Sequence, residues 1–202
     1  MLESEMSTAT LAEPLSRAKR LKTGTHTEHE NINDLVMRNE PFRSIENYGN
    51  FLRLQHGFHG ALQPVYLNES LNELLPGLSQ LNRFPAVEAD LNDLALPTPQ
   101  SPQPASIESA YQALGWLYCS EGSNLGAAIL YKQTRQLDLH ETHGARHLAA
   151  HEDGRALHWR AFVQQLDALE LTEEQDQEVI AGARAAFDFY RDQLHRVYGT
   201  AV

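Results

Sequence analysis

Between Tyr111 and Tyr131 the chain reads YQALGWLYCSEGSNLGAAILY, long and apolar enough for a helix yet interrupted by Gly115, Gly122 and Gly126. Each glycine inside a helix costs roughly 1 kcal/mol relative to alanine, so something else must be gained there. At 100° per residue, steps of seven and eleven return to nearly the same direction, and the three glycines form one bare strip. Such a strip lets another body touch the backbone. It is interrupted by Ser120-Glu121-Gly122-Ser123-Asn124, a polar patch that core filling does not explain. A flat, largely apolar ligand with a polar reactive centre suits both features.

The rest of the chain has helical spacing throughout, with no strand alternation and no internal repeat. Residues 1–14 are expected to be a flexible terminus and 15–202 one all-α domain, since 202 residues suit one substantial helical core and are short for two. A helix is predicted from Leu15 to Arg38, where Thr25-x-x-Glu28 and Thr27-x-x-Glu30 both match a capping box. Asn39-Glu40-Pro41 ends it, and Ser44 opens a second helix to Tyr66 with Phe51, Leu54, Phe58, Leu62 and Val65 on one stripe. Shorter helices follow at Glu69–Leu75 and Ala86–Leu94, then a proline-rich surface loop from Leu96 to Ala105. Ser106 is expected to open the glycine-striped helix, which runs to Gln136. An irregular, histidine-rich stretch 137–154 leads to helices Arg155–Leu169 and Thr172–Tyr198.

A formal net charge of −11 argues against general binding to nucleic acid or anionic membrane, which rely on clustered Lys and Arg. The single cysteine, Cys119, makes no internal disulfide, and no apolar run reaches the roughly 20 residues needed to span a bilayer. With an acidic N-terminus unlike a signal peptide, the reading is a cytoplasmic protein.

Ten histidines invite a metal reading. His140-Glu141-Thr142-His143 spaces its histidines three apart, whereas the zinc-protease motif needs four. His26 and His29 alone make an incomplete site. His29 precedes Ile32 and Val36 on the apolar stripe of its helix and is expected to face inward. Two readings stay open for it: a hydrogen-bonded core histidine, or an axial ligand to a haem iron. Lys22 lies seven residues earlier, placed to meet a ligand carboxylate or simply water. Gln55 and His59, four apart on the next helix, face either a common cavity or solvent. Ser123 lacks the flanking glycines of a nucleophile elbow.

Taken together, LKTGTHTEHENINDLV, EPF, LGWLYCSEGSNLGAAILYK and THGARHLA resemble the haem oxygenase family, particularly its bacterial iron-acquisition branch, in order from Leu21 to Tyr198. The resemblance implies an all-α fold with haem, at once substrate and prosthetic group, held between a proximal helix supplying His29 as metal ligand and a distal helix carrying Gly122 and Gly126. It implies O2 as co-substrate, an electron donor such as a ferredoxin or flavoprotein reductase, and release of biliverdin, carbon monoxide and ferrous iron from a monomer. Ser123, Asn124, Gln55 and His59 are the expected proton-handling groups. No acidic residue stands where the animal members hold water. Lys22 and Tyr118 match the propionate anchors of α-cleaving members, while Met37 and Gln133 stand where δ-cleaving relatives place lysines. The reading from another class is a haem carrier or sensor of the same fold without turnover.

Overall fold

A computed structural model describes residues 15–199; the expected flexible terminus 1–14 and the last residues, 200–202, lie outside it. Two long helices, α6 (Ala110–Thr134) and α8 (Glu173–Tyr198), pack against each other at the centre. They meet at a pair of glycines. A Cβ on Gly115 would fall 2.0 Å from the Val179 carbonyl oxygen, and one on Gly182 would fall 2.1 Å from that of Gln112. The backbones therefore touch, and no other residue fits at either position.

Around this crossing the remaining helices form a shell. Helix α3 (Ile45–Tyr66) lies beside α8 and carries the largest share of the core, with Tyr48, Phe51, Leu52, Leu54, Leu62 and Tyr66 buried. Helix α5 (Phe84–Asp93) covers α3, α7 (Arg155–Ala168) lies on α6, and α1 (Arg17–Gly24) and α2 (His26–Arg38) lie on α8. The short α4 (Glu69–Leu74) completes the set. One apolar cluster joins the end of α3 to α6, α7 and α8, and a second joins α2, the start of α3 and the Leu139–Leu148 segment. The all-α, strand-free expectation holds among the described residues.

The sequence boundaries hold where a side chain caps the helix. Ser44 and Asn68 accept from Asn47 N and Leu71 N, and Thr172 closes a full capping box with Gln175. Three expectations are corrected. The first helix breaks at Thr25, where neither predicted capping box closes; the Thr25 hydroxyl instead donates back to the Leu21 carbonyl at 2.8 Å. That local bond competes with the helix ladder. The glycine-striped helix begins at Ala110 because Ser109, rather than Ser106, accepts from Gln112 N. Helix α5 starts at Phe84, whose N–H is taken by the Asn82 side chain, with proline following in its first turn.

The proline-rich loop is less detached than its composition suggests. Ala105 N donates to the Ala61 carbonyl at 3.0 Å, and Pro102 lies so close over Gly60 that a Cβ there would meet it at 2.3 Å. The loop thus straps α3.

Gly115→Ala should destabilise the protein by several kcal/mol, roughly the 1–3 kcal/mol of an overpacked core site or more, because backbone rather than a side-chain tip blocks the added methyl. Gly126→Ala, with nothing within 4 Å of the added Cβ, should be neutral or gain up to about 1 kcal/mol from helix propensity. Urea denaturation of the two variants checks the contrast.

Candidate functional site

Helices α2 and α6 flank the same segment of α8. His29 stands exposed on α2 with its ring edge-on to Phe187 of α8 at 6.4 Å. One turn earlier on α8, the Ala183 carbonyl accepts from the Cys119 thiol of α6 at 3.4 Å, and Glu28 of α2 is close enough to help raise that thiol's pKa, although burial is the larger cause. Helices α2 and α6 thus both lie against the 183–187 stretch of α8, and the surface between them is the candidate trough. Its α6 wall offers bare backbone at Gly126, where no heavy atom lies within 4 Å of an added Cβ, and exposed Leu125 and Ile129 beside it. Gly122 is half-buried under the Trp159 ring, 3.5 Å from where its Cβ would sit.

This corrects two expectations. The glycine strip exists, but it serves more than one body: Gly115 receives α8, and only its C-terminal end is free. His29 does not face the core. Ile32 and Val36 are buried on the same helix, while His29, one turn nearer its start, is exposed beside Phe187 of α8. The break at Thr25 also means that Lys22 and His29 lie on different helices, so the shared helix face expected from their seven-residue spacing does not arise.

The polar patch of α6 splits across the helix. Ser123 is exposed, its hydroxyl donating to the Ser120 carbonyl at 2.7 Å. Glu121 and Asn124 turn the other way and are buried. Glu121 is a fully enclosed carboxylate with three donors: the Tyr66 hydroxyl at 2.6 Å, Asn124 Nδ2 at 3.1 Å and His158 Nε2 of α7 at 2.8 Å. Those bonds satisfy a carboxylate that would be costly to bury unpaired. Burial, then the Glu121 charge, raises the Tyr66 pKa, so the phenol keeps its proton. Arg155 ties the loop to this wall, donating to the Asn124 carbonyl at 2.8 Å and to that of Leu148.

A second buried cluster lies where α3, α5 and the 146–148 turn meet. Asp90, with no exposed surface, accepts from Arg146 N at 2.9 Å, His147 N at 3.0 Å and His147 Nδ1 at 2.7 Å. With Nδ1 carrying the proton toward the carboxylate, Nε2 of His147 is left as an acceptor, and it has no protein partner. Burial keeps His147 neutral, outweighing the opposing pull of Asp90. His59 beside it is also buried with Nδ1 unpaired; burial above all, with smaller contributions from neighbouring His147 and Arg83, holds its pKa down at about 3. Arg83 donates to the His147 carbonyl. A cavity of about 170 Å3 reaches Arg83, His147 and Glu121 from outside, so both clusters meet solvent at one place. A further hollow of about 440 Å3 lies between Leu78, Leu157 and Phe162.

Gln55, one turn before His59 on α3, donates to the Tyr190 hydroxyl of α8 at 2.8 Å. Tyr190 follows Phe187 along α8, so Gln55 and His59 extend from the trough toward the Arg83 cavity. Asn124, expected to share their network, bonds to Glu121 instead. At the trough's edge the Tyr118 hydroxyl donates to the Ala18 carbonyl of α1 at 3.3 Å, and burial pushes its pKa up to about 12. Lys22, one turn after Ala18, is exposed.

Sequence reasoning passed over Arg83, Asp90, His147 and His158. Asp90 and His147 sit among residues whose types are ordinary, and their pairing spans 57 positions. Glu121 was visible in the polar patch, but its partners were not. Among the described residues no group of three or more His, Cys, Asp or Glu converges on a metal position. His140 and His143 close a tight turn, with His140 N donating to the His143 carbonyl at 2.9 Å.

Residues 15–196 match the profile of the family described as Heme oxygenase. The chain is 44% identical over 185 residues to Heme oxygenase PigA of Pseudomonas aeruginosa, covering 90% of this chain and 93% of that one. Among solved structures, the NO- and CO-bound heme oxygenase of Neisseria meningitidis superposes with a TM-score of 0.89 at 48% identity, covering 94% of this chain and 95% of the other. Heme oxygenase from Leptospira interrogans shares the fold at TM-score 0.72 and 18% identity, over 90% of this chain and 100% of that one.

Because His59 takes up a proton near its ordinary value only when unfolded, the unfolded state binds more protons between about pH 6.5 and 3, and stability falls with pH across that window. From pH 7 to pH 5 this group should remove about 2 kcal/mol, with His147 adding to it. His59→Gln should flatten the dependence by about that amount in urea denaturation at the two pH values.

Proposed function

The chain belongs to the haem oxygenase family, and from that premise we propose that it opens haem at the α-meso carbon to give biliverdin, carbon monoxide and ferrous iron, releasing iron from haem in the cytoplasm. The observations that carry this reading are an exposed imidazole, His29, on α2 beside α8, and bare helix backbone at Gly126 of α6 with apolar Leu125 and Ile129 alongside. Those residues suit haem, which needs one nitrogen ligand, close approach to its face and apolar walls.

Haem, when bound, supplies the iron that activates O2 and the ring that is oxidised. The residues of this chain do the rest. His29 would hold the iron through one ring nitrogen. Bare α6 backbone at Gly126, with Gly122 one turn earlier beside the Trp159 ring, would face the haem without a side chain able to ligate iron, leaving room for O2. The exposed Ser123 hydroxyl lies between those glycines. Protons reach this side along neutral groups: Gln55 with Tyr190, then His59 Nδ1 and His147 Nε2, which have acceptor capacity free and stay uncharged through the physiological range. Water bridging these atoms completes the route to the cavity at Arg83.

Lys22 and Tyr118 hold the propionate edge. Each charge-assisted bond is worth about 1.5–3 kcal/mol, and a difference of about 1.4 kcal/mol between two seatings is already tenfold. Tyr118 must exchange its bond to the Ala18 carbonyl to donate to a propionate. Met37 and Gln133 offer no rival cation. Electrons come from a ferredoxin or a flavoprotein reductase, and the chain acts as a monomer.

His29→Ala should lose the bound-haem absorption spectrum or convert it to a weakly ligated form, while His26→Ala, an exposed residue paired with Glu30, should leave it unchanged. With a reductase and O2 the parent's haem band should decay as biliverdin and carbon monoxide appear. A stable oxygen complex that merely returns to ferric haem would favour a carrier instead.

A further inference from the structure

The seating of the haem edge depends on where α1 sits, and α1 is held by a buried ion cluster that touches no part of the trough. Arg17, in its first turn, is 7% exposed. Its Nε donates to Asp176 Oδ1 at 2.5 Å, its Nη2 to the Leu169 carbonyl at 2.9 Å and its Nη1 to the Leu166 carbonyl. Arg20 donates to the other oxygen of Asp176. The Ala18 N–H donates to Asp167 Oδ1 at 2.8 Å.

The first turn of α1 is thus fixed to the end of α7 and the start of α8 through directional bonds. The cation meets the free carbonyls of a helix C-terminus and the carboxylate lies in the opening turns of a helix, both favourable to the helix dipole. A planar guanidinium with four or five donors in a fork fixes orientation as well as distance. The carbonyl of Ala18, the residue between these anchors, holds the Tyr118 hydroxyl, and Lys22 follows one turn later. Below that point the chain breaks at Thr25, so α2 and His29 are positioned separately, by Ile32 and Val36 against the second apolar cluster.

We propose that Asp176, with Arg17, is a positioning residue for regiochemistry: it sets the register of α1, and through Ala18 and Lys22 the in-plane rotation of the substrate, without acting on His29. The inference rests on the haem-cleaving reading above. Removing the carboxylate frees α1 to slide or tilt, and Lys22 then meets the propionates in more than one seating. Merely structural burial of these charges would lower stability and leave the product unchanged.

The test is Asp176→Asn in the full chain, loaded with haem and turned over with a reductase and O2. It should bind one haem with the parent's ligation spectrum, exchange the amides of α1 faster, and lower the share of the principal biliverdin isomer at least twofold on chromatography. Asp176→Glu should restore most of that share. Should Asp176→Asn fail to fold, Asp167→Ala, which removes the acceptor for Ala18 N–H, carries the same readings. Faster α1 exchange with an unchanged isomer pattern overturns the inference alone. Parent protein that binds haem and yields no biliverdin overturns the enzymatic reading and this inference with it.

Discussion

Contact between the backbones of α6 and α8 at Gly115 and Gly182 is the constraint on which the rest of the structure depends. Two helices at ordinary separation keep their side chains between them; here the carbonyls of Gln112 and Val179 occupy the space where methyl groups would be. This close approach draws α8 under α6 and lets Cys119 reach the Ala183 carbonyl, one turn before Phe187, whose ring meets His29 edge-on. The crossing also explains why the glycine strip changes partner along its length. A straight neighbour can shadow a straight strip only near the crossing, so Gly126, three turns on, is left facing open space.

The polar interior is the second organising element. Glu121 and Asp90 are carboxylates with almost no exposure, and each is met by three or more donors. Such groups are costly unless fully paired, and the pairing fixes α7 and the 146–148 turn in place against α6 and α5. What these networks leave unpaired is as informative as what they satisfy. His59 and His147 stay neutral because they are buried, so each presents an acceptor without introducing a charge behind the trough.

The long helix α6 therefore does three things with three faces. One packs on α8, one carries Glu121 and Asn124 into hydrogen bonds with α3 and α7, and the third is stripped of side chains at Gly126. A helix with these demands shows no single apolar stripe, and the polar and glycine positions that weaken it locally are each compensated by tertiary contact.

Most helix positions, the capping of α3 and α8 by Ser44 and Thr172, the glycine spacing and the family resemblance were legible in the sequence, because they rest on local periodicity and on short motifs; the cap of α6 was not, since Ser106 and Ser109 are equally good capping residues and only the structure selects Ser109. What the sequence did not decide was which body each glycine receives, that Thr25 would bond back to Leu21 and divide the first helix, or that His29 would stand exposed beside Phe187 rather than enter the core. Nor did it pair Asp90 with His147, Glu121 with His158, or Arg17 with Asp176, which are separated by 57, 37 and 159 positions. Local free energies differ by too little to choose among such long-range partners. Only the packed structure does so, since burying a charge or a bare backbone is tolerable at the one place where its partner already stands.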